Sequence, residues 1–295
     1  SSDVCSSDLW VLQDNSIIVA SALIVIDTTV GGLQTWDIPR GPIVRNNEVT
    51  LGDQLLHEIL KEARKQRVLS ITFSPSTQCV SARIASTSSG RHVYPEVSRV
   101  IDLSKNTEQI LAEMYPKGRY NIKLAEKHGV HVRKGDAHDV EIIYPLLQET
   151  AKRDSFKISQ KKAYSQFLST LDESFILIAE KDNRPLAVLL GAIYGKDEYR
   201  RGIYYYGASS YAHRALMAPY ALQWAAMQYC KERGCLSYDL LGEARPDAPT
   251  NDLWRGITDF KRKFGGRLEA YAGERSIELR PLAMRLLSLK RLLLG

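Results

Sequence analysis

GIYYYGASS (Gly202–Ser210), SYDLLGE (Ser237–Glu243), GITDFKRKFGG (Gly256–Gly266) and EAYAG (Glu269–Gly273) follow one another along a single stretch, Gly202–Gly273. Its β-rich start predicts a strand over Gly202–Tyr206. Helical spacing then predicts a helix over Ala212–Arg233 that carries Arg214 and Trp224. A strand over Leu236–Leu240, a helix over Asp252–Phe264 and a strand over Arg267–Tyr271 complete the reading. Tyr, Ser, Arg, Asp, Phe and Lys stand at positions where an ordinary core would hold Leu or Val. Aromatic faces, hydroxyls and cations at strand and helix ends suit a ligand that is partly planar and partly anionic.

Working outward, the pattern predicts helices over Val140–Lys152 and Gln160–Leu171, then strands over Phe175–Glu180 and Leu186–Ile193 around the turn Asp182-Asn183. The class is α+β, with mixed sheets flanked by helices. The charged run RKGDAHDVE (Arg133–Glu141) reads as the domain boundary. Before it lie a strand–turn–strand from Trp10 to Ile26, a strand over Leu33–Ile38, the rigid turn PRGP (Pro39–Pro42) and a helix over Leu51–Gln66. Strands over Val68–Phe73 and Ser98–Leu103 follow, then a helix from Ser104 to Glu113 and another that stops at Gly129. The expected organisation is a first domain over 10–133, a second over 134–273, and a helical segment, 274–295, returning to the first domain. SSDVCSSDL (Ser1–Leu9) repeats a triplet and has no periodicity. It reads as translated sequencing-adapter read-through, a non-native leader, which implies that the true start of the gene product is missing.

At 295 residues, 44% hydrophobic and 25% charged, the composition is that of a soluble globular protein of two ordinary domains. A formal charge of +6 fits either simple solubility or anionic partners. Four cysteines are scattered, and Cys230 and Cys235 lack metal-ligand spacing, so reduced thiols in a cytosolic protein are expected. The six histidines form no HxxxH or HExxH pair, and no phosphate-binding loop, dinucleotide fingerprint or GxSxG elbow occurs. No cofactor and no metal are expected. Nothing resembles a signal peptide or a spanning apolar run, which gives a cytoplasmic reading. The segment RPLAMRLLSLKRLLLG (Arg280–Gly295) predicts a basic amphipathic helix that either packs back on the first domain or lies on an anionic membrane surface.

Several motifs carry two readings each. Arg214, near a helix start, is a phosphate-binding fork or a solvated arginine. In GITDFKRKFGG, Phe260 and Phe264 share a face and read as core, while Lys261, Arg262 and Lys263 form a basic face or a chemical one. RYNIKLAEK (Arg119–Lys127) predicts an amphipathic helix with Tyr120 and Leu124 inward and Arg119 and Lys123 outward. A nucleic-acid patch is its sharper reading.

Taken in order, DLSKNTEQILAEM (Asp102–Met114), RYNIKLAEKHGV, YYYGASS, YDLLGE, GITDFKRKFGGR and EAYAG resemble the FemA/FemB/FemX family, aminoacyltransferases that build peptidoglycan cross-bridges. The resemblance runs from Trp10 over nearly the whole chain. It implies two GNAT-like domains of the acyl-CoA N-acyltransferase type that bind no acyl-CoA, in the compact form without a coiled-coil arm. It implies transfer of an aminoacyl group from aminoacyl-tRNA to an amine of a UDP-linked or lipid-linked muramyl-pentapeptide, with peripheral contact at the inner membrane face. Lys261 and Phe260 match the family's FK pair at the reacting centre, and Arg214 matches an arginine holding acceptor phosphate. Tyr206, Ser209, Ser210 and Tyr238 match the surrounding strand ends. The acceptor amine must lose a proton, for which Asp239 is a candidate base in the substrate site and transfer through substrate groups is equally open. Arg119, Lys123, Arg262 and Lys263 are the expected tRNA contacts. The family's N-terminal stretch, with a lysine for the diphosphate, has no counterpart here. Two other readings stay open: a non-catalytic RNA- or precursor-binding protein on the same scaffold, and a CoA-dependent N-acyltransferase of small amines.

Overall fold

Val4–Asp14 (β1) and Ile17–Thr28 (β2) form an antiparallel hairpin. It turns at Asn15 and Ser16, whose φ angles of 46° and 66° are the left-handed values that tight hairpins require. The computed structural model describes residues 4–28, 32–89, 93–154, 156–252 and 254–286. Along β2, Ala20, Ala22, Ile24 and Ile26 are buried and Leu23 faces out, so a period of two sets the register. Residues 4–9 of the expected leader continue β1, with Leu9 opposite Leu23 and Val4 opposite Thr28. β1 is an edge strand, where backbone pairing suffices and side-chain periodicity is not demanded.

Gln34–Ile38 (β3), Ile43–Val44 (β4), Val49–Lys65 (α1), Ser70–Phe73 (β5) and Thr87–Ser88 (β6) complete the first run of this unit. Leu55, Leu56, Ile59, Leu60 and Ala63 recur at helical spacing on α1 and pack with Ala20, Ile24, Trp36, Ile71 and Phe73 in one core. Every residue of β5 is buried, Ile71 and Phe73 in the core and the small polar Ser70 and Thr72 alternating with them.

The chain divides at Glu96/Val97 and returns at Ala270: one unit holds 1–96 and 270–295, the other 97–269. This corrects the expected boundary at 133/134. Val97–Asp102 (β7) belongs to the second sheet because its ladder partner lies far along the chain, and the helices Thr107–Glu113 (α2) and Pro116–Lys127 (α3) follow it there. The charged run expected at the domain boundary forms the edge strand His131–Gly135 (β8) and a 3-10 turn. Arg133 there pairs with Asp139 and Glu180. Charge on an edge strand guards against sheet-to-sheet pairing.

Val140–Asp154 (α4), Lys161–Thr170 (α5), Ser174–Lys181 (β9), Arg184–Tyr194 (β10), Arg201–Ser209 (β11), Ala218–Glu232 (α6), Ser237–Gly242 (β12), Arg255–Arg262 (α7) and Arg267–Ala270 (β13) build the rest. The seven-stranded sheet runs β13-β7-β12-β11-β10-β9-β8. Along β9, Phe175, Leu177 and Ala179 enter one core with α3 and α6, while Ile176 and Ile178 enter another with α4 and α5. Both faces are covered, so the middle of the strand, Phe175–Ala179, is apolar throughout. Strand Arg275–Glu278 (β14) then joins the first sheet, whose order is β1-β2-β3-β5-β14-β6 with β4 beside β2. The returning segment therefore opens as a strand, and helix follows only over 281–286. Residues 287–295 of the expected amphipathic helix lie outside the described residues.

Candidate active site

β11 and β12 are parallel, but their pairing covers only Arg201–Ser237, Gly202–Tyr238 and Ile203–Asp239. Each strand then bulges. β11 slips register between Tyr204 and Tyr206 against β10, and β12 slips between Asp239 and Gly242 against β7. Bulges bend a strand and re-aim its side chains. Between these strands the sheet stops pairing at its carboxyl ends, where open α/β sheets bind ligands.

The β12 bulge is held by side chains. Leu241 has a φ of 60°, a strained value for a branched residue. The Asp239 carboxylate accepts from the Leu241 N–H at 2.7 Å and from the Ser98 hydroxyl on β7, with Arg201 3.8 Å away. Burial raises the Asp239 pKa, and these donors work against that rise. One consequence is the orientation of the Gly242 carbonyl, which accepts from Lys261 Nζ at 2.6 Å.

Lys261 is the one fully buried residue of α7, 4% exposed, in the helix's last turn. Phe260 and Phe264 anchor that turn by packing on Tyr220 with centroids 5.2 and 5.7 Å away. The Thr258 hydroxyl accepts from the Ala244 N–H at 2.8 Å, tying α7 to the end of β12. Burial lowers the Lys261 pKa to about 8, opposed by Glu243 and Asp239 and assisted by Arg99. Nζ stands over the Tyr204 ring, 5.9 Å from its centroid. An ammonium has three hydrogens to donate, and Gly242 takes one.

Around the lysine lies a buried ion pair. Arg99 Nε and its terminal nitrogen reach Glu243 Oε1 at 2.5 Å and Oε2 at 3.0 Å. The other terminal nitrogen donates to the Gly265 carbonyl at 3.0 Å. Gly265 and Gly266, with φ of 77° and 75°, end α7, and an added Cβ on either would lie 2.5 Å from a backbone carbonyl. Arg99 therefore fixes the end of α7 and the start of the loop after β12 together.

The expected site residues fall into separate places. Lys261, Phe260 and Asp239 come together as described. Tyr238 is fully buried and donates to Gln223 Oε1 at 2.9 Å, so it is core and faces no ligand. Tyr206 lies on the opposite sheet face, edge-on to Tyr164 and Phe167. Ser209, Ser210 and Arg214 form a second cluster past the end of β11. There the Ser210 hydroxyl is 3.2 Å from His213 Nδ1, and the exposed Arg214 guanidinium stacks on Tyr211 at 4.2 Å. Arg214 sits in a 3-10 turn, because the helix expected from Ala212 starts at Ala218, after the left-handed Met217.

Arg119 is half-buried and donates to the carbonyls of Leu111, Ala112 and Met114 at the end of α2, closing that helix instead of facing solvent. On α3 the buried residues are Gly118, Asn121, Ile122 and Ala125, and Tyr120 is 63% exposed, which reverses the expected inward Tyr120. Lys123 and Arg262 are exposed, and Lys263 Nζ lies 3.1 Å from the Tyr220 hydroxyl. The start of α3 abuts the end of α7: Tyr115 N–H donates to the Lys263 carbonyl at 3.1 Å, and an added Cβ on Gly118 would lie 2.2 Å from it. Two basic motifs far apart in sequence thus adjoin.

Arg99, Ser98, Glu243 and Tyr204 are not among the site residues expected from the sequence. A lone arginine inside the apolar strand VSRVID was the available signal for Arg99, since a buried charge needs a partner. Among the described residues no group of His, Cys, Asp and Glu forms a metal site.

The FemAB family model matches residues 83–184 and 177–290. The chain belongs to the FemAB family. Within that family, a UDP-N-acetylmuramoylpentapeptide-lysine N(6)-alanyltransferase of Weissella viridescens is 23% identical over 80% of this chain and 74% of its own length. A Lipid II:glycine glycyltransferase of Staphylococcus saprophyticus is 20% identical over 62% of this chain, which spans only 58% of that relative. Among solved structures, FemX superposes with a TM-score of 0.80 at 15% identity, covering 96% of this chain and 90% of FemX. A tandem GNAT protein from the clavulanic acid biosynthesis pathway superposes at 0.59, with 13% identity and coverages of 93% and 83%. This FemAB chain thus has the FemX fold, built of two GNAT-like units.

Proposed function

We propose that this FemAB chain is an aminoacyltransferase that moves an amino acid from aminoacyl-tRNA to an amine of a peptidoglycan precursor. The observation that carries it is Lys261: a buried ammonium at the parting of two parallel strands, fixed by one carbonyl and with two hydrogens left to donate. An aminoacyl ester is already activated, so aminolysis needs the amine held against the carbonyl and the developing oxyanion supported. Orientation contributes roughly 7–11 kcal/mol at best. A fixed donor beside the oxyanion contributes about 3–4 kcal/mol. With a pKa lowered only to about 8, Lys261 is still charged at neutral pH.

The acceptor class follows the relatives, whose names specify lipid II and a UDP-linked muramoylpentapeptide. The exposed Arg214, with Ser209 and Ser210 beside it, suits an acceptor phosphate. The adjoining basic ends of α3 and α7, with Lys123, Arg262 and the exposed rings of Tyr115 and Tyr120, suit a nucleic acid. Leu282 and Leu286 stay exposed beside Arg280 and Arg285, which favours contact with the membrane carrying a lipid-linked acceptor. No described helix is long and apolar enough to cross a membrane.

The test is a transfer assay that pairs several charged tRNAs with the UDP-linked and the lipid-linked precursor. A product carrying the amino acid on the stem peptide supports the proposal. Binding of both substrates without product selects a non-catalytic role. A thermal shift with CoA and acylation of a small amine select the other N-acyltransferase reading.

A further inference from the structure

Tyr204 is the first β11 residue beyond the last rung shared with β12. The bulge at Tyr205 puts Tyr204 and Gly207 on the same sheet face, because one extra residue inverts the alternation. The phenol lies along the strand over Gly207. A Cβ added there would meet the Tyr204 hydroxyl at 2.0 Å and two ring carbons at 2.7 Å. No other side chain than hydrogen fits, so glycine at 207 keeps a slot for this one hydroxyl.

That hydroxyl has no hydrogen-bond partner among the described residues. Burial alone pushes the phenol up to about 12, so it stays protonated and can only donate or accept as a neutral group. The enclosed hydroxyl of Tyr238, near the same junction, has a protein partner in Gln223, whereas the Tyr204 oxygen is not among the enclosed unpaired atoms and is open to solvent. Tyr204 remains half-buried, so its ring is reachable from outside. The Lys261 ammonium stands over that ring, and neither group satisfies the other.

We propose that the Tyr204 hydroxyl is a catalytic hydrogen-bond donor that acts beside Lys261 on an oxygen of the aminoacyl ester. The inference rests on the transferase reading above. The amine nitrogen bonds to the ester carbon, the C–O bond to the terminal ribose of the tRNA breaks, and the proton that the amine sheds ends on the departing ribose oxygen. In between, the carbonyl oxygen gathers negative charge and accepts from a neutral O–H on one side and an ammonium on the other. No proton leaves Tyr204. A donor with no partner in the free protein is held ready for a group that arrives with the substrate.

Tyr204→Phe removes the oxygen alone and keeps the ring over Gly207. With charged tRNA and UDP-linked muramyl-pentapeptide, kcat for the variant should fall about 100-fold with KM little changed. Its melting temperature should hold, because no hydrogen bond within the protein is lost. Gly207→Ala should lower kcat as well by displacing the phenol. A wild-type enzyme that transfers while Tyr204→Phe keeps its rate within about twofold overturns the inference and leaves the transferase reading standing. A lowered melting temperature with equal loss in kcat and stability-limited activity also overturns it, by making the hydroxyl structural. A wild-type chain that transfers nothing overturns the transferase reading, and the role of Tyr204 with it.

Discussion

Lys261 is asked to stay charged in a place that disfavours charge, and the two demands have opposite signs with pH. Its folded pKa of about 8 lies below the 10.5 of a free lysine, so between these values the unfolded chain holds more protons. Stability contributed by this group is therefore lowest below pH 8 and recovers as pH rises to 10.5. The span is on the order of 3 kcal/mol. Activity that depends on the ammonium runs the other way and declines above pH 8. Lys261→Met should lose transfer by about 100-fold or more. In chemical denaturation it should also flatten the alkaline gain in stability that wild type shows between pH 8 and 10.5. An equal gain in both proteins would assign the titration to other groups.

At the scale of elements, the β12 bulge and the end of α7 form a single bracket, with Arg99 and Glu243 as its pin. Glu243→Gln leaves the Arg99 guanidinium buried without its counter-charge, at a cost of about 3–5 kcal/mol. It also removes the carboxylate that supports the Lys261 charge, so the alkaline decline of transfer should shift to lower pH. Denaturation and a pH–rate profile read the two effects separately. Replacing both partners, Arg99→Met with Glu243→Leu, should restore most of the stability and part of the pH shift, because Arg99 lowers the Lys261 pKa that Glu243 raises. Elements were more legible than this bracket. FILIA in β9 and the Leu55–Ala63 spacing in α1 announce a two-sided strand and a one-sided helix, because burial writes directly into local pattern. β7 did not announce its sheet, since VSRVID pairs with a strand some 140 positions later and local pattern carries no partner. Lys261 stood out through family likeness, and Asp239 as a carboxylate in reach of the chemistry. Tyr204 stayed hidden because its position depends on a one-residue slip that composition does not mark, and Tyr238 was misplaced because strand parity, not residue type, turns it into the core.

For the molecule as a whole, the adjoining basic ends of α3 and α7 make a prediction about partner affinity. Lys123→Glu with Arg262→Glu should weaken binding of charged tRNA and lessen its dependence on salt by about two ions. Binding of the UDP-linked precursor should not change. Titrations at several salt concentrations check both, and an unchanged salt slope would remove α3 and α7 from the interface. The strand order of the first sheet has a consequence of another kind, for the order of events during synthesis. β14 is wedged between β5 and β6, with Ile277 in the core. That sheet stays unfinished until residue 278 has left the ribosome, whereas 97–269 can close beforehand. Chains stalled, through a C-terminal extension, when residue 274 has just cleared the ribosome should therefore protect the second unit from protease while β5 remains open to it. The first part of the polypeptide to be made is the last to finish folding.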